Sequence, residues 1–168
     1  MPVTSHPLSD HFTEEELTRT SRSFPNTPTD TIRATLRVLC NDALEPVRSL
    51  VGPLGVNSGY RSPEVNAATP GAATKSAHLD GRAADVRPLQ LAPVEAMKRC
   101  VQELNPAGEL ARVDQIIFEH RAGKPWLHVQ IRKAGSPPRH QALMSLAPGL
   151  FELWDETDAR LAPWRSAV

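Results

Sequence analysis

His78 and Asp85 stand seven residues apart in Ser76-Ala77-His78-Leu79-Asp80-Gly81-Arg82-Ala83-Ala84-Asp85, with a glycine turn and two small residues between them. A second histidine, His128, lies in the strand-like run Trp126-Leu127-His128-Val129-Gln130. Two imidazoles and one carboxylate make a three-donor zinc set whose fourth position stays open to water, the arrangement of a hydrolytic metal. His78 and Asp85 are too far apart for one helical turn. A turn at Asp80-Gly81 folds Ala83-Ala84-Asp85-Val86 back beside His78 instead, and the two alanines leave room around the ion. A lone histidine is more often a locally hydrogen-bonded polar residue than a ligand. Three such residues in Ser-x-His-x-x-Gly-x-Ala-x-Asp order, with a distant histidine, need one cause.

The elements that must carry these residues show as periodicities. Trp126, His128 and Gln130 alternate with Leu127, Val129 and Ile131, so a strand with its apolar set on the core turns His128 into a cleft. Val113 to Glu119 is β-branched and aromatic, the expected antiparallel partner through a loop at His120 to Pro125. Leu54 to Ser58 reads as a short strand. It runs into Gly59-Tyr60-Arg61-Ser62-Pro63, where Gly59 allows close backbone approach and Pro63 opens a helical turn over 64–68. Arg61 then sits at a strand end, as a solvated or ion-paired charge or as a carboxylate binder.

Thr13 and Glu16 form a capping box for a short helix, with Phe12 set to staple against Leu17. A longer helix starts at Thr29 or Asp30, its apolar stripe Ile32, Leu36, Leu39, Ala43, Val47 and Leu50. Pro46 should kink or break it near Leu44, and Gly52-Pro53 ends it. A further helix covers about 92–104, with Val94, Met97, Val101 and Leu104 inward. Together these predict an α+β fold in which a small antiparallel sheet carries the zinc site and packs against several helices.

The 168 residues, 40% hydrophobic and 23% charged, suit one soluble core. Residues 1–135 are expected to hold the metal-site domain and 136–168 a C-terminal extension. In that extension Leu150, Phe151, Leu153, Trp154 and Trp164 are too apolar for a free tail, so they pack back or dock a partner. Nineteen basic residues balance nineteen acidic ones, which gives no electrostatic case for nucleic acid. No stretch is long enough to span a bilayer, and no basic-then-apolar leader opens the chain. Cys40 and Cys100 fall on apolar helix faces as small buried hydrophobes, which fits synthesis in a reducing cytoplasm.

Ser76-x-His78-x-x-Gly81-x-Ala83-x-Asp85, preceded by Ser58-Gly59-Tyr60-Arg61-Ser62 and followed by Trp126-Leu127-His128-Val129, resembles the M15 peptidase family. The resemblance is strongest to its D-Ala-D-Ala carboxypeptidase-like branch, found in phage lysis and tail proteins and in bacterial cell-wall enzymes. It runs from the His11-Phe12-Thr13 opening to about Ile131. It implies a Hedgehog/DD-peptidase-like fold, one Zn2+ per chain held by His78, Asp85 and His128, and cleavage of D-amino-acid-containing bonds in peptidoglycan stems or cross-links. Arg61 matches the family arginine that contacts substrate near the scissile bond, and Ser76 matches a serine lining the same pocket. Tyr60 and Trp126 flank them as substrate-binding residues.

Many relatives place an acid three positions before the last histidine, where this chain has Pro125. In the resembled branch a strand of the type Asp-Gln-Leu-Ile-x-Glu precedes Trp-x-His. The matching Asp114-Gln115-Ile116-Ile117-Phe118-Glu119 makes Glu119 the expected general base, with His120 in reserve. The implied partners are peptidoglycan stems, and for the extension a phage particle or another protein. The implied place of action is the wall (periplasm), reached from the cytoplasm by phage-type release. Two rivals stand beside this reading: a catalytically silent metal-holding module that binds wall or builds a phage particle, and a cytosolic dipeptidase.

Overall fold

The computed structural model describes residues 6–166. The fold is α+β, a six-stranded sheet in the order β1-β2-β4-β3-β5-β6 with helices against its back. The strands are β1 (Leu54–Ser58), β2 (Ala83–Pro88), β3 (Val113–Arg121), β4 (Lys124–Ile131), β5 (Gln141–Ala147) and β6 (Leu150–Leu153). Every pairing is antiparallel except β3 with β5, which is parallel. The chain leaving β4 crosses the start of β3 through Arg132–His140 and enters β5 on its far side, so the sheet is mixed.

Alternation sets the two faces. Ala84, Val86, Ile116, Phe118, Leu127, Val129 and Met144 lie on the core face and are buried. Ala83, Asp85, Ile117, Glu119, Trp126, His128 and Gln130 share the other face, as the β2–β4 and β3–β4 registers require.

The back is covered by α2 (Asp30–Leu39), α3 (Glu45–Val51) and α5 (Pro93–Glu103). Thr29 caps α2 by accepting from the Ile32 amide, and Leu36 and Leu39 are fully buried. The interruption expected from Pro46 takes the form of a wide π-type turn over Cys40–Leu44, after which α3 follows with the proline in its first turn. The Glu45 amide bonds back to the Cys40 carbonyl across that wide turn, so the helical run continues and the widened turn makes room for a residue that has no N–H. Cys40 and Cys100 are both free and buried, and burial pushes each thiol up to about 12. The capping box of Thr13 and Glu16 opens α1 (Glu14–Thr18), and Phe12 and Leu17 are both buried. Among the described residues no helix is long and apolar enough to cross a membrane.

Two segments differ from their sequence reading. The loop expected at His120 to Pro125 is absent: β3 runs on to Arg121, β4 starts at Lys124, and Ala122-Gly123 alone make the turn. Both turn residues have positive φ, 50° and 75°, the backbone of a two-residue primed hairpin. Alanine rarely adopts that conformation, so nothing in the sequence marked it. The apolar segment 143–154 forms β5 and β6 of the same sheet, and Trp154 and Trp164 flank Phe118 with ring centroids 5.8 and 5.7 Å away. Phe151 and Leu153 on β6 remain exposed.

Between β1 and the site, Gly59 passes so close to α1 that an added Cβ would be driven into the Leu17 carbonyl. The Tyr60 amide donates to that same carbonyl at 2.7 Å, which leaves the backbone little freedom to retreat. Gly59→Ala is therefore expected to destabilise the protein by about 1–3 kcal/mol through overpacking. In a domain this size that is a fall in Tm of roughly 2–4 °C per kcal/mol, read by thermal unfolding.

Candidate metal centre

His78 reaches the site from a 3-10 turn, Ala77–Asp80, whose N-cap is Ser76: its hydroxyl accepts from the His78 amide at 3.3 Å. Gly81, left-handed at φ +69°, reverses the chain into β2. The turn expected at Asp80-Gly81 is thus what brings Asp85 beside His78. The Arg61 amide donates to the His78 carbonyl at 3.1 Å, tying the β1 exit to this turn.

The His78 ring is buried, and its Nδ1 lies 2.6 Å from the Gly59 carbonyl. A carbonyl only accepts, so Nδ1 carries the proton and Nε2 presents a lone pair. That Nε2 is 3.4 Å from Asp85 Oδ1. From the other side His128, directly across the β2–β4 register, places Nδ1 2.9 Å from the same oxygen. One donor atom from each of the three residues lies within 4.8 Å of the others. Donors about 2 Å from a tetrahedral ion stand roughly 3–3.5 Å apart; the two separations to Asp85 Oδ1 are of that order, so the two imidazoles and the carboxylate could together hold a metal ion.

Asp85 Oδ2 accepts from Arg61 Nη2 at 3.1 Å. Burial alone would raise the Asp85 pKa, but the neighbouring His78 and the hydrogen bond from His128 Nδ1 outweigh it and hold the carboxyl well below the usual range. Burial lowers the pKa of His78, with Asp85 only partly opposing. Burial acts on His128 in the same sense, yet its bond to Asp85 and the nearby Glu119 charge leave it raised.

Glu119 pairs with Trp126 in the β3–β4 register and so sits diagonally from His128 on the same face. Its carboxyl is raised by burial first, with the Asp85 charge adding and the His128, Arg121 and Arg61 charges opposing. His120, one residue on, turns to the core side and stacks on Trp164 with centroids 4.5 Å apart. Trp126 lies at the site face under the Arg121 guanidinium, which is 5.7 Å from the ring centroid. Tyr60 is buried in the core cluster, between Gly59, whose carbonyl meets His78, and Arg61, which donates to Asp85. Sequence reasoning missed Asn66, whose side chain links Arg61 Nη1 at 3.5 Å to the Ala73 carbonyl at 3.0 Å. It also missed the Gly59 carbonyl that orients His78, because a backbone acceptor leaves no compositional trace.

A buried His-Asp-His donor set on a sheet face, with a carboxylate beside it, defines a metallohydrolase type of centre. Residues 10–118 match the family model described as Peptidase M15, about two-thirds of the chain. The chain belongs to the Peptidase M15 family, a family of metallopeptidases. Comparison with curated proteins gives no significant match. The match covers His78, Asp85, Arg61 and the start of β3, while His128 lies beyond it.

If His128 is a metal ligand, proton and metal would compete for its Nδ1, and its raised pKa would extend that competition above the ordinary histidine range. Metal affinity should rise with pH through this raised value and flatten above it, with a proton released on uptake. In the metal-free protein the sign is opposite: a raised folded-state pKa stabilises below about 6.5 and that contribution is lost as pH rises through it. The gap in Tm between metal-loaded and metal-free protein is therefore expected to widen from pH 6 to pH 8 as bound metal adds stability. A gap that shrinks with pH would exclude His128 as a ligand.

Proposed function

We propose that this protein is a zinc-dependent peptidase of the D-Ala-D-Ala carboxypeptidase-like branch, hydrolysing bonds that involve D-amino acids in peptidoglycan stems or cross-links. The observation that carries this reading is the convergence of His78, Asp85 and His128 on the sheet face where Glu119 also sits. Bound there, Zn2+ would supply Lewis acidity, lowering the pKa of a water toward about 7 and polarising the scissile carbonyl.

The remaining work falls to side chains of this chain. Arg61 gives Nε to Ser58 Oγ, one Nη1 proton to Asn66 and one Nη2 proton to Asp85. A guanidinium has five N–H groups, so one on each Nη is left for a substrate oxygen, a developing oxyanion or a terminal carboxylate. Its position is held from three sides, so little ordering remains to be done when substrate arrives. Glu119, with its carboxyl raised by burial, is suited to take a proton from the attacking water and return it to the leaving amine. Trp126 offers a flat wall beside it, and Ser76 holds the turn that carries His78. Reaching the wall by phage-type release, and a partner for the exposed face of β6, belong to the same proposal.

Pro125, three residues before His128, supports a second reading as a catalytically silent metal-holding module. Digestion of sacculi and defined muropeptides, followed by mass spectrometry, separates the two. The zinc-loaded protein should release products, and Glu119→Gln should bind zinc normally while turnover falls by about 10²–10⁴. Undiminished turnover in Glu119→Gln would remove the base assignment, and no cleavage by the native protein would favour the silent module.

A further inference from the structure

A line of hydrogen bonds joins the segment beyond the family match to the metal centre. Asp114, at the start of β3, is fully buried. Arg139, in the β4–β5 connection, donates to it from the backbone N at 2.9 Å, from Nε at 3.1 Å and from Nη2 at 2.7 Å. Gln130 Nε2 donates to Asp114 Oδ2 at 3.1 Å. A carboxylate so surrounded by donors only accepts, so the Gln130 amide must turn its nitrogen toward Asp114 and its oxygen away. That oxygen, Oε1, lies 3.5 Å from His128 Nε2, on the far side of the ring from the Nδ1 that faces Asp85.

The tautomer of His128 is at stake in this arrangement. A neutral imidazole with its proton on Nδ1 would donate to Asp85, and both groups would be spent on each other. With the proton on Nε2, Nδ1 is a lone pair and Asp85 keeps its oxygen free. We infer that Arg139 and Asp114 act through Gln130 as positioning residues for His128, fixing the Nε2-protonated tautomer and aiming Nδ1 at the metal. The inference rests on the metal reading of the His78–Asp85–His128 group. It gives the C-terminal segment a part in the site, since Arg139 lies outside the residues that match the family model.

The test is zinc affinity by chelator competition, with the visible spectrum of the cobalt(II)-loaded protein as a second readout. Gln130→Met, nearly isosteric but without an acceptor, should weaken zinc binding by about 10–100-fold, the range for lost partners of metal-ligating histidines. The Tm of its zinc-free form should stay close to wild type, and its cobalt bands should shift. Arg139→Met should weaken binding less, because the backbone amide still holds Asp114, and Arg139→Lys should recover part of that loss. Zinc affinity and cobalt bands indistinguishable from wild type in Gln130→Met would overturn the inference. Should that variant fail to fold, the same two readouts on Arg139→Met decide it. Wild-type protein that bound no zinc would instead sink the metal reading itself.

Discussion

The carboxylate of Asp85 is the constraint on which the rest of this structure depends. It is almost entirely removed from water, and an isolated buried anion costs several kcal/mol. It persists because His128 Nδ1 stands 2.9 Å from one of its oxygens and the Arg61 guanidinium donates to the other at 3.1 Å. Each of these partners comes from a different part of the chain, so folding the site and folding the sheet are a single event. The same convergence that stabilises the anion without metal presents the donors that would hold one.

This requirement explains where the chain tolerates no side chain. β2 must lie between β1 and β4 for Asp85 to stand across from His128, and His78 must arrive from a turn directly preceding β2. Gly81 supplies the left-handed step between turn and strand. Gly59 supplies the close pass to α1 that puts its own carbonyl under His78 Nδ1. The glycine that fits the packing is therefore also the residue that sets the tautomer of His78. Arg61, two residues on, is the next group out of the same tight bend.

Much of this was legible beforehand, for identifiable reasons. The capping box at Thr13 and Glu16, the Thr29 cap and the alternation through Leu127 to Ile131 are local patterns, and the structure carries each of them. The donor set was legible because its spacing made sense only as a turn that returns a strand. What stayed hidden was non-local or backbone in origin. The Ala122-Gly123 hairpin uses positive φ at an alanine, and the parallel entry of β5 depends on a crossing held by Arg139 and Asp114. Neither leaves a periodicity to read, and a glutamine's link to a distant carboxylate leaves none either.

The hairpin also decides between neighbours that composition could not separate. Glu119 and His120 are adjacent, and both carry groups able to move a proton. Because Ala122-Gly123 keep β3 and β4 paired to their tips, strict alternation extends through both residues. Glu119 is thus committed to the face of Asp85 and His128, while His120 is committed to the aromatic packing of Phe118 and Trp164. Had positions 120–125 formed a loose loop, either side chain could have swung toward the donors. A two-residue turn at the tip therefore fixes which of two candidate bases faces the metal group, some distance from the turn itself.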